Sequence, residues 1–170
     1  IALTAIYWAR RMGAGKVVAM SRTPHRAELA TAMGADGFVT YSADEQDRVR
    51  ESLGGRPDVV VECIGAPGML DKAIAHAGLY GRVVSLGLSA KPEAIVPAMA
   101  GMKGVSLYFP VGYAMDDFRA TAEAIRGGSV DPAIMVKAVP IDLEIGLKDL
   151  TSVFIRELEL MEPFGAGNPR

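Results

Sequence analysis

Two hydrophobic periods alternate along this chain. Ile1, Ala2, Ala5, Ile6, Ala9 and Met12 recur at helical spacing, and Gly13 and Gly15 follow as stop signals. Lys16 to Ser21 is a short β-branched run closed by Thr23-Pro24, which predicts a buried strand. The alternation then repeats. Helices are predicted over His25–Met33, Ser42–Leu53, Pro67–Ala77, Ile95–Met102 and Asp116–Arg126. Strands are predicted over Gly37–Tyr41, Asp58–Cys63, Arg82–Leu86 and Val105–Phe109. Ser42 with Glu45 three residues on has capping-box spacing. A further strand over Val136–Val139 and a last helix over Asp142–Leu158 complete the pattern, and Glu162–Arg170 has none.

Strands that are continuous apolar runs and alternate with helices imply a parallel sheet covered on both faces. The predicted class is a doubly wound α/β domain, with ligands bound past the carboxyl ends of its strands. The chain begins inside a helical pattern, so a first strand is expected before Ile1. In the order 3-2-1-4-5-6 that strand is central. Its absence would leave a slot one strand wide between the strands at Val17 and Val59.

Composition narrows the function. Of 170 residues, 50% are apolar and 22% charged, with a net charge of −2. This is enough apolar material for a core and gives no electrostatic reason to expect nucleic acid or an anionic membrane. The apolar run from Ile1 stops at Arg10, short of the ~20 residues a membrane span needs. One cysteine, Cys63, and two separated histidines, His25 and His76, cannot form a structural zinc site of four such ligands. A lone thiol fits a reduced, cytoplasmic protein.

Several chemistries are missing. No H-E-x-x-H, G-x-S-x-G or G-x-x-x-x-G-K-[ST] motif occurs. Gly13-Ala14-Gly15-Lys16 follows a helix rather than a strand, so it reads as a helix C-cap and not a phosphate loop. No tyrosine is followed by lysine four residues later. His76, in the last turn of its helix, reads as a partner for the helix dipole and the terminal carbonyls.

The informative positions are the strand ends. A NAD-binding fold ends its second strand with an acid that takes the ribose hydroxyls, whereas the extra phosphate of NADP repels acid and attracts Arg. Here Ser21 and Arg22 stand at that end, Arg26 follows, and no acid occurs before Glu28. Ser21, Arg22 and Arg26 therefore fit a ribose phosphate. Two other strands run out into Cys63-Ile64-Gly65 and Leu86-Gly87-Leu88. Glycine there lets backbone approach a bound ring closely. Cys63 reads as a small apolar wall, having no nearby His to activate it.

The run Trp8–Asp36, followed in order by Asp58–Gly65, Gly81–Leu88 and Asp116–Pro132, resembles the cofactor domain of zinc-dependent medium-chain alcohol dehydrogenases. The resemblance implies a Rossmann-like domain over residues 1–128 and a segment over 129–170 returning toward a separate catalytic domain. That other domain, which holds the zinc, and the glycine-rich turn are expected outside this chain. The resemblance also implies that Ser21 and Arg22 hold the adenosine ribose and its phosphate, with Tyr41 adding a contact. Cys63, Ile64 and Gly65 would border adenosine and ribose, and Leu86, Gly87 and Leu88 would lie by the nicotinamide. It implies NADP as preferred cofactor, with NAD possible, and an alcohol or carbonyl compound as substrate. Strand Val105–Phe109 would pair with its copy in a homo-oligomer. Three other readings stay open: a zinc-free quinone reductase of the same superfamily, a non-catalytic nucleotide-binding or oligomerisation module, and a methyltransferase, which would want an acid near Ser21.

Overall fold

The computed structural model describes residues 1–130. The chain divides into two units, Ile1–Ile134 and Met135–Arg170. The strand and helix expected over 136–139 and 142–158 therefore lie outside the described residues.

Within the first unit helices and strands alternate as the pattern predicts. The elements are α1 (Ala2–Arg11), β1 (Val18–Ser21), α2 (Ala27–Ala32), β2 (Gly37–Thr40), α3 (Glu45–Leu53), β3 (Val59–Glu62), α4 (Met69–His76), β4 (Arg82–Ser85), α5 (Pro97–Lys103), β5 (Ser106–Tyr108) and α6 (Met115–Arg126). Their ends are trimmed for identifiable reasons. Pro24 opens a 3-10 turn, Pro24–Arg26, so α2 starts two residues later than the expected His25. Ser42 does not cap α3. Its hydroxyl turns back to the Thr40 carbonyl, and only the reverse half of the box forms, with Glu45 Oε2 accepting from Ser42 N–H at 3.3 Å. The glycines after α1 are a C-cap as expected. Gly13 has φ +93°, its N–H reaches Arg10 O at 3.0 Å, and Ala14 N–H reaches Ala9 O at 2.9 Å.

All strand pairing among the described residues is parallel, but it forms two sheets. One has the order β1-β2, with Val18 opposite Gly37 and Ser21 opposite Thr40. The other has the order β3-β4-β5, with Glu62 opposite Ser85 and Val83 opposite Leu107. The break falls between β1 and β3, where the expected strand order leaves its slot. Each sheet has its own core. Ile6, Ala30, Met33 and Ala35 gather α1 and α2 on the first sheet. Ala73, Ile74, Ala77 and Val83 gather α4 and the second sheet.

Two expectations need correction. The second sheet is not covered on both faces by described residues: Val60, Val83 and Leu107 pack against α4 and α5, while Val59, Val61 and Tyr108 are 40–50% exposed. Ile125 at the end of α6, with Val130 after it, packs with the first core. Nor do Val105, Leu107 and Phe109 make one apolar edge. Val105 and Leu107 pack inward on the second core, and only Phe109, beyond the strand, is 65% exposed. Among the described residues no helix is long and apolar enough to cross a membrane.

Candidate functional site

The carboxyl ends of β1 and β2 bring three of the expected residues together. Ser21 closes β1 opposite Thr40, and Tyr41 N–H donates to Ser21 O at 3.0 Å. Arg22 projects from the next position, exposed, and its charge reaches the Tyr41 phenol. Neither Arg22 nor Arg26 makes an ion pair among the described residues. Arg26 stands further out, exposed at the end of the 3-10 turn. No carboxylate follows β1 before Glu28.

Tyr41 is held between the halves of the domain. Lys72 Nζ lies 3.8 Å from its ring centroid, and its hydroxyl contacts Met69 Sδ at 3.9 Å. Burial raises the phenol's pKa, Lys72 opposes this, and the charges of Glu45 and Glu62 add to it. The phenol stays protonated and remains a donor at neutral pH.

The carboxyl ends of β3 and β4 form the second group. Gly65 has φ +67°, a conformation that favours glycine. A Cβ on it would lie 2.7 Å from Gly87 C and from Leu88 N. A Cβ on Gly87 would in turn fall onto Gly65 N and within 2.7 Å of Glu62 Oε2. The two turns thus interlock at backbone level, and side chains are excluded from both. Ile64 and Leu88 flank this floor and are largely exposed, at 55% and 96%. Leu86 is half-buried, its N–H bonded to Glu62 O at 2.7 Å. Cys63 is half-buried, its Sγ turned to Val61 O at 3.9 Å. Burial pushes the Cys63 thiol up, and Glu62 adds to the rise. A protonated thiol is a wall, not a nucleophile.

The interlocked floor is thus a bare backbone surface between two exposed apolar side chains, suited to a flat ring. The Ser21–Arg22 end offers a hydroxyl and an exposed guanidinium, suited to a phosphate. Among the described residues no group of three or more His, Cys, Asp and Glu is placed to hold a metal ion.

Residues outside the expected set position these groups. Glu45 is buried, with Lys72 Nζ at 2.7 Å and His76 Nε2 at 3.4 Å from its Oε1. This network bridges α3 and α4, and so the two sheets. His76 therefore does not serve the helix end as expected. Arg56 and Lys103 take those carbonyls instead, Lys103 Nζ lying 2.8–3.1 Å from Ile74, Ala75 and Ala77 O. Glu62 is also buried, and it bonds the N–H groups of Ile64 and Gly65. The sequence does carry a signal for Glu62, an acid ending the apolar run Val59-Val60-Val61 three residues before a glycine.

Parallel strands, crossover helices and loops at the carboxyl ends define a Rossmann-like α/β domain. The chain belongs to the zinc-binding dehydrogenase family, whose model matches residues 1–126. It is 35% identical over 114 residues to an L-threonine 3-dehydrogenase of Saccharopolyspora erythraea, an overlap of 62% of this chain and 33% of that one. A 2R,3R-butanediol dehydrogenase structure from Bacillus subtilis superposes with a TM-score of 0.69 at 26% identity, over 79% of this chain and 39% of the other. A short chain alcohol dehydrogenase from Escherichia coli CFT073, complexed with NADH, shares the fold with a TM-score of 0.66 at 21% identity, over 78% of this chain and 39% of its own. The chain thus spans well under half the length of the relatives it matches.

Proposed function

We propose that this chain is the cofactor-binding part of an oxidoreductase that moves hydride between NADP and an alcohol, polyol, aldehyde or ketone. Residues 1–128 form the dinucleotide-binding domain and 129–170 lead back toward a catalytic domain. The observation that carries the reading is the exit of β1, where Ser21 and an exposed Arg22, without an ion pair among the described residues, stand in place of an acid. The fold and the relatives' names support it.

The residues fit such a cofactor. Arg22 attracts the 2′-phosphate, Ser21 donates a hydroxyl to it, and Tyr41 presents a protonated phenol beside both. The Gly65–Gly87 floor admits a ring at backbone distance, and Ile64 and Leu88 keep water from its flanks. The bound nicotinamide supplies or accepts the hydride. Zinc, which the family's description implies, has no ligand set among the described residues. The reading assigns it to the catalytic domain and routes no step of this chain through it. A single cysteine suits the reducing cytoplasm, and the outer edge of β5 is the proposed contact between copies of the complete protein.

The test is the ratio of dissociation constants for NADPH and NADH on the complete protein. A charge-assisted contact from Arg22 predicts NADPH binding about ten- to a hundredfold tighter. Ser21→Asp with Arg22→Ala narrows or reverses the ratio. Equal affinities in the wild type would make Arg22 an ordinary solvated charge and sink the assignment.

A further inference from the structure

Glu62 is a buried carboxylate that the proposed function leaves without a role. It ends β3 at 7% exposure and has no cation within ion-pair distance among the described residues. An uncompensated buried anion is costly, so its hydrogen bonds must satisfy it. They do so in one direction only. Oε1 accepts from Ile64 N–H at 2.5 Å and from Gly65 N–H at 2.9 Å. Oε2 accepts from the Ser85 hydroxyl at 3.3 Å. Ser85 is its register partner on β4. The main-chain carbonyl of the same residue accepts from Leu86 N–H at 2.7 Å and Gly87 N–H at 3.0 Å.

One residue thus grips both turns of the floor. Its side chain closes the β3 turn and its backbone closes the β4 turn, at the point where Gly65 and Gly87 touch. We infer that Glu62 is a positioning residue for the cofactor: its carboxylate locks the Cys63–Gly65 turn and ties it through the Ser85 hydroxyl to β4, fixing that turn against Leu86–Leu88 before ligand arrives. A preformed floor spares the cofactor the cost of ordering two loops. An acid suits the task because two N–H groups and one O–H converge on it, and all three are donors. The inference rests on the dinucleotide-site reading above.

The test compares Glu62→Ala, Glu62→Gln and Val83→Ala in the complete protein. Val83 is fully buried in the same sheet, so its truncation destabilises the fold without touching the turns. Two quantities are read: amide exchange at Ile64 and Gly65 without ligand, and the dissociation constant for NADPH. Glu62→Ala is expected to speed both amides and to weaken NADPH about ten- to a hundredfold. Glu62→Gln keeps an acceptor for both N–H groups and restores binding to within a few-fold of wild type. Val83→Ala lowers the melting temperature but leaves NADPH affinity nearly unchanged. Unchanged exchange in Glu62→Ala overturns the inference whatever the ligand is. Equal weakening by Val83→Ala and Glu62→Ala overturns it too, because loss of stability alone then explains the effect. If exchange responds as expected but the wild type binds neither NADPH nor NADH, the lock stands as structure and the dinucleotide reading fails, taking the cofactor role with it.

Discussion

His76 shows how much a single side chain's meaning depends on what folds against it. In the sequence it sits two residues before Gly78, the position of a helix-end cation. In the fold it points across to Glu45, and burial lowers its pKa below the ordinary 6.5, Glu45 offsetting part of the shift while Lys72 and Arg56 reinforce it. Glu45 is the converse case. Burial alone would raise its carboxyl, but the Lys72 ammonium, Ser42 N–H and His76 together hold it below 4.5. Both folded-state values are depressed, so both groups stabilise the fold at higher pH and lose that contribution as pH falls. The window opens with His76 below about 6.5, where the unfolded chain takes up a proton first, and Glu45 joins below about 4.5. Tyr41, whose phenol feels the charge of Glu45, is raised and stays outside this window. Melting temperature should therefore fall between pH 6.5 and 5, and His76→Gln should flatten that fall. Identical pH profiles for the two proteins would remove His76 from the account.

The placement of Ser21 and Arg22 at the end of β1 was legible in the sequence because what sets it is local: a short β-branched run closed by Thr23-Pro24. Glu62 and Glu45 carried only local signals, an acid ending an apolar run and a capping-box spacing, because their other partners lie in other elements or in turns whose geometry only the fold sets.

At the scale of elements, hydrophobic period and glycine punctuation located every helix and strand among the described residues, and faces proved harder than ranges. β5 is the clearest example. Val105, Leu107 and Phe109 share one period-2 face, which in a lone strand looks like an exposed apolar edge. The face and the hydrogen-bonding edge of a strand are perpendicular, however. Leu107 sits opposite Val83 and packs on the second core, so a charge there would unfold the sheet rather than separate the copies. The proposed contact between copies is better probed at Phe109, which is 65% exposed and off the core. Phe109→Lys should shift the complete protein toward monomer in sedimentation while leaving its melting temperature close to wild type. An unchanged oligomer would exclude this edge as the contact.

For the molecule as a whole, the consequential feature is the division into two sheets. β1 and β2 carry the phosphate-suited end with Ser21 and Arg22, and β3 and β4 carry the glycine floor. The two meet through side chains of α3 and α4, where Glu45, Lys72, His76 and Tyr41 interlock. The alternation of helices and parallel strands was legible from the hydrophobic pattern alone. The exposed face at Val59 and Val61 was not, because an apolar run states that a strand is fit for burial without saying what buries it.

The central claim is that one dinucleotide spans both groups across the carboxyl ends of the strands. Hydrogen–deuterium exchange of the complete protein with and without saturating NADPH addresses this directly. The account predicts slowed exchange at Ser21–Arg22, Tyr41, Cys63–Gly65 and Leu86–Leu88, and no change at Leu79–Gly81 at the opposite end of β4. Protection absent from either group, or centred on the Leu79–Gly81 end, would contradict it.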